Sequence, residues 1–214
     1  MGGTSDEAPH PLAQTLGELL HRTPSATPRF VLVLGAGSGR NIAPLLRAGV
    51  HVDLIEEDAA RAKAVGTRFA GEPHLSVMRD VYTNLGRYHR AYAAVLSTHA
   101  LLHGSAEQLR AVLCALAEIV APDADLFLTF GSTRDPRFGH GTPAGPHAWA
   151  AAHGSEAGVP HTYFEESELR TLLRAFDVIS LEETAAGALV GRWAHDANQT
   201  DIVHWFAHLK ASEF

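Results

Sequence analysis

Five apolar residues, Phe30-Val31-Leu32-Val33-Leu34, run directly into Gly35-Ala36-Gly37-Ser38-Gly39. A short β-branched run of this kind reads as a strand buried on both faces, and such strands belong to mostly parallel sheets covered by helices. A glycine turn closing that strand lets backbone N–H groups approach a ligand and aims the next helix at it. The pattern asks for an α/β fold with a ligand at the strand ends. The third glycine falls at Gly39 and Arg40 follows, so the spacing is G-x-G-x-G and not the dinucleotide fingerprint G-x-G-x-x-G. No G-K-[ST] ending follows, which argues against a nucleoside-triphosphate P-loop.

Periodicity extends the pattern in both directions. Leu12, Leu16, Leu19 and Leu20 predict an amphipathic helix over 11–22. Further strands are predicted at 51–55, 74–78, 91–96 and 125–130, separated by helices at 41–47, 58–69 and 106–120. Strand and helix alternate, so the sheet should be mostly parallel. The stretch 131–161 is rich in Gly, Pro, His and Ala without a period, and loops of this length in a compact domain usually serve as lids or binding loops. A last helix should start near Glu165, with Leu169, Leu172, Leu173 and Phe176 at its spacing, and a turn-rich connection should join two closing strands at 178–182 and 202–209.

The second predicted strand ends in Ile55-Glu56-Glu57-Asp58, seventeen residues beyond Gly39. A carboxylate there can accept both hydroxyls of a ribose. Asp58 is assigned instead to the N-cap of the following helix. Strand, glycine turn, helix and strand-end acid together point to a nucleoside ligand.

These residues resemble the class I S-adenosylmethionine-dependent methyltransferases, over nearly the whole chain. FVLVLGAGSGR (30–40) resembles the family's first motif, 52–58 its second strand and ribose acid, Arg79-Asp80-Val81 its adenine segment, and YAAVLSTHALLH (92–103) its fourth-strand motif. The resemblance implies a Rossmann-like three-layer sandwich with a seven-stranded, mostly parallel sheet and an antiparallel last strand. It implies S-adenosylmethionine as cofactor, with S-adenosylhomocysteine as product. Gly35, Ala36, Gly37, Ser38, Gly39 and Asn41 would lie beside it, Glu56 and Glu57 at its ribose, Asp80 and Val81 at its adenine, and Ser97 and Thr98 at its methionine end. Where the family often carries an acid two residues before the first glycine, this chain has Val33.

Thr133-Arg134-Asp135-Pro136-Arg137-Phe138-Gly139-His140-Gly141 and His161-Thr162-Tyr163-Phe164-Glu165 are similar to small bacterial methyltransferases of the tellurite-resistance type. That similarity implies a small-molecule acceptor offering an oxygen, nitrogen or sulfur/selenium-type nucleophile, including natural-product intermediates. Arg134 and Arg137 are candidates to clamp an anionic acceptor, and Phe138, Trp149 and Tyr163 to stack on a flat one. The chain holds 14 histidines. His99 and His161 are the candidate general bases if the acceptor must lose a proton, because an ordinary histidine titrates near pH ~6.5, and His103 is a candidate acceptor contact. His99 and His103 are four residues apart, a metal-compatible spacing, but no third ligand stands out and no metal is expected.

Composition narrows the alternatives. With 214 residues, 46% hydrophobic and 19% charged, the chain reads as one folded domain, comprising an N-terminal helical segment (1–29) and a substrate lid inserted at 132–163. The formal net charge of −7 lacks the footprint of a nucleic-acid or anionic-membrane binder. Cys114 is the sole cysteine, which excludes a disulfide framework or a cysteine-ligated cluster, and its neighbours Leu113, Leu116 and Ile119 predict a buried, inert thiol. Without an apolar stretch of ~18–20 residues the expectation is a cytoplasmic protein, monomeric or homodimeric. A nicotinamide-dependent oxidoreductase and a non-catalytic nucleoside-binding module are the competing readings.

Overall fold

Side chains alternate along β1 (Phe30–Leu34): Val31 and Val33 enter one apolar cluster, Leu32 and Leu34 another. A strand buried on both faces needs helices on both. In the computed structural model, which describes residues 8–154, 156–185 and 202–212, α1 (Pro11–Arg22), α2 (Ile42–Arg47) and α3 (Ala59–Arg68) cover the Val31 face through Leu16, Leu45 and Val65. The Leu32 face carries α4 (Ala106–Ile119) through Leu109, Leu113 and Leu116, and α5 (Glu166–Leu172) through Leu169. This is a three-layer sandwich.

The strands β2 (His51–Glu56), β3 (Leu75–Arg79), β4 (Tyr92–Ser97) and β5 (Val120–Ser132) join β1 in the parallel order β3-β2-β1-β4-β5. Three short strands follow, β6 (Thr142–Gly145), β7 (Ala148–Ala150) and β8 (Pro160–Phe164), and then β9 (Phe176–Ala185) and β10 (Val203–Ala211). β10 lies antiparallel between β5 and β9 and completes a main sheet of seven strands among the described residues. The expected fold class is the one observed.

Three expectations need correction. The segment 131–161 is not structureless: β6, β7 and β8 form an antiparallel sheet, and β8 runs parallel to the tip of β5, with Gly131 beside Tyr163. Phe176 does not belong to the last helix; it opens β9. Cys114 is exposed, because the buried stripe of α4 runs through Leu109, Val112, Leu113, Leu116 and Ile119, and the next residue after Leu113 turns ~100° away from it. The connection between β9 and β10, expected to be turn-rich, falls largely at 186–201, outside the described residues. No described helix is long and apolar enough to cross a membrane.

Candidate active site

Crossovers leave β1 toward β2 on one side, while β4 lies on the other, so the sheet's topological switch point is at the β1–β4 boundary. Ligands of open α/β sheets bind outside the strand ends at that point. The glycine turn occupies it. Gly35, Gly37 and Gly39 have φ of +87°, +49° and +81°, a left-handed backbone that side-chain-bearing residues rarely adopt. A Cβ at Gly35 would lie 2.8 Å from the Ala100 methyl, whereas at Gly37 nothing stands within 4 Å. At Gly39 the added carbon would meet Phe69 at 3.0 Å, so this glycine serves the packing of the loop against α3.

Glu56, at the end of β2, is 1% exposed. Its Oε2 accepts from the Ala36 N–H at 2.7 Å and its Oε1 from the Asp58 N–H at 2.8 Å, with Arg61 Nε 3.2 Å from Oε1. The carboxylate thus ties strand to glycine loop and carries its charge into a cleft of about 80 Å³. That cleft is lined by Gly35, Gly37, Glu56, Arg61, Tyr82, Thr98, His99, Ala100, His103 and Glu156. Arg61, Tyr82 and Glu156 were not singled out from the sequence. Burial, with the Glu56 and Glu57 carboxylates nearby, pushes the Tyr82 hydroxyl pKa up, so the group stays neutral. Asp58 caps α3 by accepting from the Arg61 N–H, as expected.

The remaining predicted cofactor residues fall into three groups. Glu57 accepts from the Tyr82 N–H at 2.8 Å and so anchors the segment after β3. Asp80 accepts from the Val81 N–H, Asn84 and Tyr88; the bonds from Asn84 and then Tyr88 hold its carboxyl below the ordinary carboxylate range. Val81 beside it is one of two large apolar side chains left exposed among the described residues. Asn41 donates to Thr98 Oγ1 at 2.8 Å and accepts from the His10 N–H, which ties the start of α2 to the tip of β4. Ser97 Oγ is fully buried and has no hydrogen-bond partner among the described residues. The Ser38 carbonyl accepts from Arg68.

His99 follows at φ +66°, a strained conformation for a residue that is not glycine. Its N–H is held by Thr129 Oγ1 at 2.8 Å, and its ring lies between those of His10 and His204, 5.4 and 5.0 Å away. Burial, aided by the charge of Arg40, lowers the His10 pKa to about 3. His161 sits elsewhere, against His103 and Glu156. The pairing suggested by sequence spacing, His99 with His103, is therefore replaced by one across the chain.

Of the predicted acceptor residues His103 lines the cleft, whereas Arg134, Arg137, Phe138, Trp149 and Tyr163 are not among its lining. Phe138, Trp149 and Tyr163 pack as one aromatic group, with centroids 4.7, 5.8 and 6.1 Å apart. Burial raises the Tyr163 pKa to about 12. Arg137 is held by the fully buried Asp135 through Nε and Nη2, at 2.8 and 2.9 Å, and also meets His204. Arg134 is largely exposed and pairs with Glu183.

No protein-family model and no curated protein matches the sequence. Solved structures do match in fold. A structure described as an S-adenosylmethionine-dependent methyltransferase from Methanosarcina mazei aligns over 92% of this chain and 98% of its own, with TM-score 0.71 at 15% identity. TehB from Haemophilus influenzae aligns over 95% of this chain but 62% of its own, with TM-score 0.65 at 15% identity. A Burkholderia thailandensis 1,6-didemethyltoxoflavin N1-methyltransferase, solved with its acceptor and S-adenosylhomocysteine, covers 95% of this chain and 79% of its own, with TM-score 0.61 at 16% identity. The architecture is that of the class I methyltransferases.

Proposed function

We propose that this chain is a methyltransferase that binds S-adenosylmethionine at the β1–β4 switch point and methylates a small-molecule acceptor. The observation that carries this reading is the buried Glu56 carboxylate, hydrogen-bonded to the glycine loop and facing the cleft. The bound cofactor supplies an electrophilic methyl on a sulfonium, released when an in-line nucleophile displaces the sulfur. The chain's own residues bind and orient. Glu56 accepts from the ribose hydroxyls, for which Arg61 must first release Oε1. Gly35 and Gly37 let the backbone pass close, and the orphaned Ser97 Oγ is a buried polar atom in want of a partner near the methionine end. Asp80 and Val81 flank the adenine side.

The segment 132–163 acts as the lid. Exclusion of water from the cleft and alignment of nucleophile with methyl supply much of the rate. An acceptor that arrives protonated has His99, which lines the cleft, as its base, because both ring nitrogens of His161 are engaged by the Val159 carbonyl and Glu156; an anionic acceptor needs none. The resemblance to tellurite-resistance-type enzymes is part of this proposal and leaves oxygen, nitrogen and sulfur-type acceptors open.

Calorimetric titration tests the reading. S-adenosylhomocysteine should bind with one site per chain and a nicotinamide dinucleotide should not; dinucleotide binding, or binding of neither, overturns it. A screen of acceptors for a single added methyl then separates an enzyme from a nucleoside-binding module.

A further inference from the structure

His103 and His161 are 58 residues apart in sequence, yet their backbones form an antiparallel bridge, clamped by Gly104 N–H donating to Pro160 O at 3.0 Å and Thr162 Oγ1 to Gly104 O at 2.5 Å. Residues facing each other across such a bridge carry their side chains side by side. The two imidazoles meet edge to face at 4.7 Å, and Glu156 reaches both: Oε1 lies 3.3 Å from His103 Nε2 and Oε2 lies 2.9 Å from His161 Nε2. Three ligand atoms therefore lie within 4.8 Å of one another.

The hydrogen-bond inventory makes this cluster electron-rich. His161 Nδ1 sits 3.0 Å from the Val159 carbonyl, which only accepts, so Nδ1 carries a proton. In the neutral ring Nε2 is then a lone pair, and it points at a carboxylate oxygen, which also only accepts. A proton on His161 would answer that contact, while His103 Nε2, 3.3 Å from Glu156 Oε1, makes no well-formed hydrogen bond. A cation answers all three. The Val159 contact is also the outer-shell bond by which metal-binding histidines are oriented.

We propose that His103, His161 and Glu156 bind a divalent cation of the zinc, cobalt or iron(II) class. Two imidazoles and one carboxylate suit borderline metals, and three protein ligands leave positions open. His103 and Glu156 line the same cleft as Gly35, Gly37 and Glu56, so those positions face the space beside the glycine loop. If the proposed methyl transfer holds, the open positions take an oxygen or sulfur atom of the acceptor; metal binding itself does not depend on that reading.

The test uses the full chain, stripped with a chelator and titrated with Zn²⁺ and with Co²⁺, with bound metal measured after gel filtration. One equivalent per chain is expected. His103→Gln and Glu156→Gln should each weaken binding at least ~10-fold, since outer-shell changes alone cost about 10–100-fold. The double variant His51→Gln/His74→Gln removes a second histidine pair, 3.4 Å apart on β2 and just before β3, and should leave binding unchanged. Metal retained by both cluster variants, loss in the His51/His74 variant, or no binding at micromolar free Zn²⁺ overturns the proposal. S-adenosylhomocysteine binding is followed in parallel and should be equal with and without metal; its absence would sink the methyltransferase reading and leave the metal site standing.

Discussion

Glu56→Gln separates the two tasks given to this carboxylate. The substitution keeps shape but removes charge, and it replaces one acceptor oxygen by an NH₂ group. Glu56 receives N–H donors on both oxygens, from Ala36 and Asp58, so the amide nitrogen must face one of them as donor against donor. An unsatisfied buried donor costs about 1–3 kcal/mol, which should appear as a lower urea midpoint with unchanged slope. For the cofactor, a hydrogen bond to a charged group contributes about 1.5–3 kcal/mol, so S-adenosylhomocysteine affinity should fall roughly tenfold to 150-fold by calorimetry. Arg61→Ala is the control: its half-exposed guanidinium pairs with the buried Glu56 and must release Oε1 to the ribose, so removing it costs about 1 kcal/mol at most and affinity should stay within ~5-fold. A folded Glu56→Gln protein that binds S-adenosylhomocysteine as tightly as the parent refutes the ribose assignment. Unchanged stability refutes the double backbone anchor.

Three further outcomes are expected. Gly35→Ala places a methyl 2.8 Å from Ala100 at φ +87° and should destabilise more than Gly37→Ala, whose cost is limited to the ~1–2 kcal/mol of a left-handed backbone; equal urea midpoints would contradict the loop geometry. His10 has a native pKa of about 3 against 6.5 unfolded, so the unfolded chain binds the extra proton between those values and stability falls as pH drops below 6.5, by at most ~1.4 kcal/mol per unit; His10→Asn, which keeps a side-chain acceptor at the α1 N-cap, should flatten that part of the melting profile. Cys114 should react with a thiol reagent in the native protein, and protection until denaturation would place it back in the core.

What was legible in the sequence is what is local. The strand, its glycines and Glu56 lie within a span of 27 residues, and each obeys a short-range rule of burial, backbone freedom or capping. The β6–β7 hairpin was illegible because Thr142–Gly145 is exposed along its whole length and carries no apolar alternation to read. Cys114 was misread because apolar neighbours in sequence are not neighbours around a helix. The His103–Glu156–His161 cluster depends on a bridge between the segment that follows β4 and the start of β8, and pairing of this kind is set by tertiary packing. Arg137 had the right composition for a clamp, but its engagement by Asp135 depends on how β5 turns into the following segment.

The placement of β10 between β5 and β9 fixes an order of assembly during synthesis. The parallel strands β1 to β5 can each pair with a strand already made as they emerge, β2 on β1, β3 on β2, β4 on the other side of β1 and β5 on β4. Among the described strands β9 pairs only with β10, so until Val203–Ala211 leaves the ribosome both β9 and the outer edge of β5 are unpaired templates for aggregation. Trp205 on that strand donates to the Phe164 carbonyl of β8, so the seat of the lid is also fastened late. A nascent chain halted before β10 would hold a finished glycine loop under an unfinished roof, and chaperone dependence should peak over that interval.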